Sequence, residues 1–245
     1  MQIEVKNKKQ DFFAVITDVD IKNISNTNFV KIKQTLETYG VVVLKNQNIN
    51  DNQQIEFSRK FGDLEKALEH DKLEGIQDEI TRISNVDQHN NILPVDSKKV
   101  IYDRGNRSWH SDSSYKSIPS KFSILSSREI PDQGGGTEYI DARYALETWN
   151  KKKHKLSLED LKQQICQHSI VYSRMVNTGD IFDESYKNKM PFVKQRLIRT
   201  HPFTQRSAFY VGSHCSHIVG WDIEISRKLI KEINDWIVNS GEIIH

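Results

Sequence analysis

Cysteine is almost absent: Cys166 and Cys215 are the only two in 245 residues. That is too few for a disulfide framework, so a hydrophobic core has to carry the fold. The thiols read as reduced, as in a cytoplasmic protein. No stretch approaches the roughly 18 apolar residues that crossing a bilayer requires, and Met1–Lys6 carries no apolar segment of an export signal. No membrane partner is expected. Charge of one sign is also missing, with 35 basic and 33 acidic residues. Without a basic excess there is nothing to neutralise phosphates, so no nucleic-acid partner is expected. Five prolines and eleven glycines form no linker and no repeat divides the chain, so residues 1–245 read as one domain.

What is present alternates between helical and strand periods. Phe29, Ile32, Leu36 and Tyr39 recur at helical spacing behind Asn28 as a possible cap, and Gly40 stands where a helix end favours positive φ. Val41–Leu44 reads as a fully buried strand. Asn50 or Asp51 caps a second helix that runs through Phe61 and stops at Gly62. The polar run from Asp63 to His70 has no clear period. Ile80–Ser84 reads as a strand, and residues 85–108 as a long functional loop. Lys121–Ser126 alternates polar and apolar residues as a half-buried strand does. Asp141 and Ser157 cap two short helices on either side of the basic run Lys151–Lys155, which with His154 reads as solvated surface. Residues 166–192 show no period and read as loops. Arg196–Pro202 and Ser207–Gly212 read as strands joined at Thr204–Gln205. From Asp222 an amphipathic helix carries Ile225, Leu229, Ile230, Ile233, Trp236 and Ile237 on one stripe, and Gly241 ends it. Glu242–His245 then opens a further strand. Pattern alone gives one α/β or α+β domain built on antiparallel strands.

Two short motifs carry chemistry. In Trp109-His110-Ser111-Asp112, the His and Asp are two residues apart and fall on one face of an extended strand. One imidazole nitrogen and one carboxylate oxygen can then reach a single ion. This is two thirds of the 2-His-1-carboxylate facial triad, whose open positions suit a non-haem Fe(II) oxygenase. Gly134-Gly135-Gly136-Thr137-Glu138-Tyr139 follows. By itself, His-x-Asp is read more readily as a strand histidine beside a surface carboxylate.

Several motifs in one order narrow the choice. Asn106-Arg107-Ser108-Trp109-His110-Ser111-Asp112, the triple-glycine segment, Arg199-Thr200-His201-Pro202 and Tyr210-Val211-Gly212-Ser213-His214-Cys215-Ser216-His217-Ile218-Val219-Gly220-Trp221 together resemble the taurine dioxygenase (TauD/TfdA) family. They are most similar to its 2,4-dichlorophenoxyacetate dioxygenase branch. The likeness runs from the helix at Asn28 to His245. It implies a mostly β double-stranded β-helix (jelly-roll) core with flanking helices. It also implies Fe(II), 2-oxoglutarate and O2, and hydroxylation of a small organic anion such as an aryloxyalkanoate, alkyl sulfate or sulfonate, with release of succinate and CO2. The family's third iron ligand, a His, and an Arg that pairs with 2-oxoglutarate should by motif order lie shortly after His245, so the domain is expected to stop before its C-terminal strands. A non-catalytic jelly-roll protein that binds small molecules without a complete metal site is the alternative.

The resemblance assigns His110 and Asp112 to the metal and to catalysis, and Thr137 to a 2-oxoglutarate carboxylate. Asn106 and Lys66 are assigned to the substrate, with Arg104 and Arg107 as weaker relatives of Lys66. A turn Thr, a loop-capping Asn and an exposed lysine are the plain readings of Thr137, Asn106 and Lys66. His201, His214 and His217 have no Cys or carboxylate spacing that completes a zinc signature, which leaves them structural. His245 precedes the expected distal motif and is not read as a ligand. The apolar helices can support a homo-oligomer.

Overall fold

Phe12–Thr17 (β2) is a run of Phe, Ala, Val and Ile buried along nearly its whole length. In the computed structural model, which describes residues 1–7, 9–67, 77–87, 89–149 and 156–245, it lies at the centre of a three-stranded sheet. Gln2–Asn7 (β1) pairs antiparallel with it, and Val42–Leu44 (β3) pairs parallel on its other side. Parallel neighbours need a crossover, supplied here by helix α1 (Asn26–Tyr39). Ser25, not Asn28, caps α1: its hydroxyl accepts the Asn28 N–H at 3.2 Å. Gly40, at φ +78, donates its N–H to Leu36 O, as expected. β3 is only half buried, since it forms the sheet's edge.

Helix α2 (Asp51–Arg59) starts at a reciprocal capping box of Asn50 and Gln53. Its Phe57 joins Ile16, Ile21, Ile32 and Ile49 in one core cluster. Phe29, Phe57, Phe61 and Phe122 meet edge to face around it.

The second half builds a separate core. Ile165–His168 (β4) lies between Val193–Arg196 (β5) and Cys215–Ile218 (β8), antiparallel to both. Ile198–Thr200 (β6) and Ser207–Phe209 (β7) form the expected hairpin. Helix α8 (Ile223–Ser240) lays Ile230, Ile233 and Ile237 against this layer, beside Trp149, Leu161, Leu197 and Ile218. Each such side chain contributes roughly 1.5–3 kcal/mol by leaving water. Asp141 caps α4 (Ala142–Glu147), and a Ser157–Asp160 box caps α5 (Leu158–Lys162), both as expected.

Several expectations need correction. Residues 166–192 are not loops but hold β4, α6 (Ile170–Thr178) and α7 (Glu184–Lys189). The long connection 85–108 contains α3 (Lys98–Arg104) and a 3-10 turn (Gly105–Arg107). Neither Ile80–Ser84 nor Lys121–Ser126 forms a strand. In the latter, side chains rather than a ladder hold the segment: Lys121 pairs with Glu37, and Gln54 donates to Ile124 O. The predicted strand at 242–245 amounts to one bridge, Tyr139 with Ile244. His70, His154 and the run Lys151–Lys155 lie outside the described residues.

Candidate functional site

Trp109–Asp112 passes against the connection from β7 to β8. Gly212, at φ +127, makes the approach possible: a Cβ there would sit 2.9 Å from His110 Cα and 3.1 Å from Trp109 O. Ser213 N–H donates to Trp109 O at 2.9 Å. The predicted strand is instead an irregular segment running into a turn, because this single bond replaces a ladder and Ser113 takes φ +56. The side chains nonetheless converge, with His110 Nε2 3.2 Å from Asp112 Oδ1.

His110 Nδ1 lies 2.7 Å from Ser108 O, so Nδ1 carries the proton and donates it to the carbonyl. In the neutral ring, Nε2 then offers a lone pair toward a carboxylate oxygen. Two acceptors at that distance require a cation between them, either a proton or a metal ion. The same arrangement, with the second ring nitrogen fixed by a carbonyl, orients metal-ligating histidines. Without a metal the proton wins: the hydrogen bond to Asp112 holds the imidazole above its ordinary range, and that from His110 holds the Asp112 carboxyl below its own. The donor set therefore fits a divalent ion. Among the described residues no third His, Cys, Asp or Glu completes a group.

His214 lies beside this pair without joining it. It is buried, its Nδ1 meets Ser173 Oγ at 2.8 Å, and its ring sits edge-on to His110 at 5.5 Å and to Tyr115 at 4.9 Å. Burial first, and the neighbouring charges of His110 and Arg174 next, push its imidazole down to about 3. His168, fully buried, meets Ser114 Oγ through Nδ1 at 3.1 Å and stacks on Tyr210, while its Nε2 has no partner among the described residues. His201 accepts the Phe203 and Thr204 N–H groups in the hairpin turn, and His217 meets Ser216 and the Phe192 ring. His245 leans on Glu138 at 3.5 Å.

Of the other predicted residues, Asn106 is brought in most firmly. Its Oδ1 accepts from Arg174 Nη2 at 2.6 Å, four residues before His110. Thr137 is exposed, behind Gly134 and Gly135, both at positive φ. Two residues on, burial and then the Asp112 charge hold the Tyr139 phenol above its usual range. Lys66 is exposed, and its carbonyl accepts from Lys116 Nζ at 3.4 Å. The preceding Glu65 bonds Ser113, Ser120 and Lys116, which ties this loop to the turn after Asp112. Arg104 turns away to Val95 O, and Arg107 is exposed.

Sequence reasoning missed Arg174. It sits in α6 within Ile170-Val171-Tyr172-Ser173-Arg174-Met175-Val176, and a lone arginine in a largely apolar run was the available signal.

A family model described as taurine catabolism dioxygenase TauD, TfdA family matches residues 5–244. The chain is 30% identical over 226 residues to an alpha-ketoglutarate-dependent 2,4-dichlorophenoxyacetate dioxygenase of Cupriavidus pinatubonensis, covering 91% of this chain and 77% of the relative. To a (S)-phenoxypropionate/alpha-ketoglutarate-dioxygenase of Sphingobium herbicidovorans it is 27% identical over 249 residues, covering 96% and 79%. The crystal structure of AAD-2 in complex with Mn(II) and N-oxalylglycine superposes with a TM-score of 0.87 at 27% identity, covering 100% of this chain and 85% of that one. This likeness bears out the expected jelly-roll architecture.

Proposed function

The chain belongs to the taurine catabolism dioxygenase TauD, TfdA family, and from that premise we propose that it hydroxylates a small organic anion of the aryloxyalkanoate, alkyl sulfate or sulfonate kind. It is a 2-oxoglutarate-dependent dioxygenase that uses Fe(II) and O2 and releases succinate and CO2. The observation that carries the reading at residue level is the His110 Nε2 to Asp112 Oδ1 approach, with Nδ1 held on Ser108 O.

Bound iron would supply O2 activation coupled to oxidative decarboxylation of 2-oxoglutarate. His110 and Asp112 would hold it, and so few protein donors would leave it positions for exchangeable ligands. The Ser108 carbonyl keeps the imidazole proton on Nδ1, so Nε2 stays free to coordinate. The Thr137 hydroxyl donates to a 2-oxoglutarate carboxylate. Asn106 lines the substrate side, and Lys66, on the loop stapled by Glu65, is a cationic contact for the anionic substrate at the rim as it enters. His214 stays neutral beside His110, packed edge-on between that ring and Tyr115. The protein's main task would be to position one substrate C–H at the site. The enzyme acts in the cytoplasm: both cysteines are free, and among the described residues no helix is long and apolar enough to cross a membrane. The exposed apolar residues of α8, Ile223 and Ile225, offer a surface for a homo-oligomer.

Succinate release from Fe(II), 2-oxoglutarate and a panel of aryloxyalkanoates, sulfates and sulfonates tests the activity. His110→Ala and Asp112→Ala should each reduce it to background, a loss of at least about a thousandfold, since metal-bound turnover is the whole rate. Turnover that survives either change rules out the ligand assignment.

A further inference from the structure

Arg174 is only 4% exposed, yet no carboxylate among the described residues pairs with it. A buried guanidinium without an anion carries a large desolvation cost, and folds normally close such a charge with a carboxylate. Its surroundings are instead arranged to hold the group rather than neutralise it. Tyr102 covers one face, with the guanidinium carbon 4.5 Å from the ring centroid. Gly105 lets the backbone approach: a Cβ there would come within 2.3 Å of Nη1 and 2.7 Å of Cζ. Nη2 is given to Asn106 Oδ1, and the buried Nε–H has no acceptor among the described residues.

The location is as informative as the missing partner. Asn106 lies on the 3-10 turn that leads into Ser108, whose carbonyl orients His110. Ser173, next to Arg174 on α6, holds His214, whose ring meets that of His110.

We propose that Arg174, positioned by Tyr102, Gly105 and Asn106, receives the carboxylate of the organic substrate and thereby sets which of its carbon atoms faces His110 and Asp112. The inference rests on the dioxygenase reading for its substrate class but not for its binding chemistry. A planar carboxylate offers two oxygens to the guanidinium fork, and a sheltered site strengthens the contact. Lys66, exposed, then serves only as a rim contact.

The test measures binding and turnover separately. Equilibrium binding of 2,4-dichlorophenoxyacetate and of its neutral amide is followed by tryptophan fluorescence in wild type, Arg174→Gln, Arg174→Lys and Asn106→Asp. Wild type should prefer the acid by at least about tenfold, and Arg174→Gln should abolish the preference. Arg174→Lys should keep part of it, as a point charge without the fork. Asn106→Asp is the variant that guards against misfolding, because it closes the guanidinium with a new carboxylate. It should lose the preference while melting no lower than wild type. The KM for 2-oxoglutarate should stay within about twofold in Arg174→Gln. An undiminished acid preference in folded Arg174→Gln and Asn106→Asp overturns the proposal, and so does a raised KM for 2-oxoglutarate with the substrate preference intact. If wild type binds the acid through Arg174 but releases no succinate, the anion site stands and the dioxygenase reading fails.

Discussion

Two arginines sit largely inside the fold, and their surroundings differ in kind. Arg143, with 12% of its side chain exposed, is closed on every side. Nε and Nη2 grip the two Asp141 oxygens at 2.8 and 2.9 Å, Nη1 donates to Thr38 O at the end of α1, and Nη2 reaches Asp11 O. It ties the cap of α4, the first crossover helix and the N-terminal hairpin into one joint. Arg174 has an aromatic face, a glycine and one amide oxygen, and no carboxylate among the described residues. A guanidinium whose charge is already matched is architecture. One left unmatched beside a candidate metal site is arranged to receive an anion.

The strongest way to break that contrast is Arg143→Ala. It leaves Asp141, 3% exposed, as an unpaired buried charge, which should cost about 3–5 kcal/mol in denaturant unfolding. The acid-over-amide preference of the folded fraction should not change. If instead Arg143→Ala is mild and Arg174→Gln severe in stability, the two residues have exchanged roles.

His168 extends the contrast to a group whose charge the fold refuses. Burial first, and the Arg199 charge next, push it from 6.5 down to about 4. Between those values the unfolded chain holds a proton that the folded chain does not, so stability must fall as pH drops from 6.5 to 4. This one residue contributes on the order of 3 kcal/mol of that loss, and the contribution levels off below 4. His168→Gln lacks this term. Urea unfolding at pH 7 and pH 4 should therefore show the variant gaining on wild type by that amount in acid, and an unchanged difference would count against it.

Thr137→Val is the smallest expected effect and separates the co-substrate from the organic anion. Loss of one hydroxyl to a carboxylate should raise the KM for 2-oxoglutarate roughly tenfold without touching the acid preference assigned to Arg174. An unchanged KM removes Thr137 from the site.

Legibility followed the range of the interaction. Asn50, Asp141 and Ser157 could be read as caps because a cap bonds within three residues. The α8 stripe from Leu229 to Ile237 could be read because burial of one helix face repeats with the helix period, whereas Ile225, placed on the same stripe, is exposed. Lys121–Ser126 shows the limit. Its alternation was real, but a strand also needs a partner, and here Glu37 and Gln54 hold the segment instead. The turn-bearing path of His110 and Asp112 was misread as a strand, although the meeting of their side chains was not.

By itself, then, the sequence determined the capped helices, the β6–β7 hairpin, the family's order of motifs and the nearness of His110 to Asp112, all settled by neighbours along the chain. Only the tertiary structure decided that β3 lies parallel to β2, that Gly212 admits the backbone of His110, that Ser173 restrains His214, and that Arg174 is buried against Asn106 with no carboxylate among the described residues. Those contacts join residues tens of positions apart. Whether a charge is matched or left open depends on what the fold brings beside it, and no local period records that.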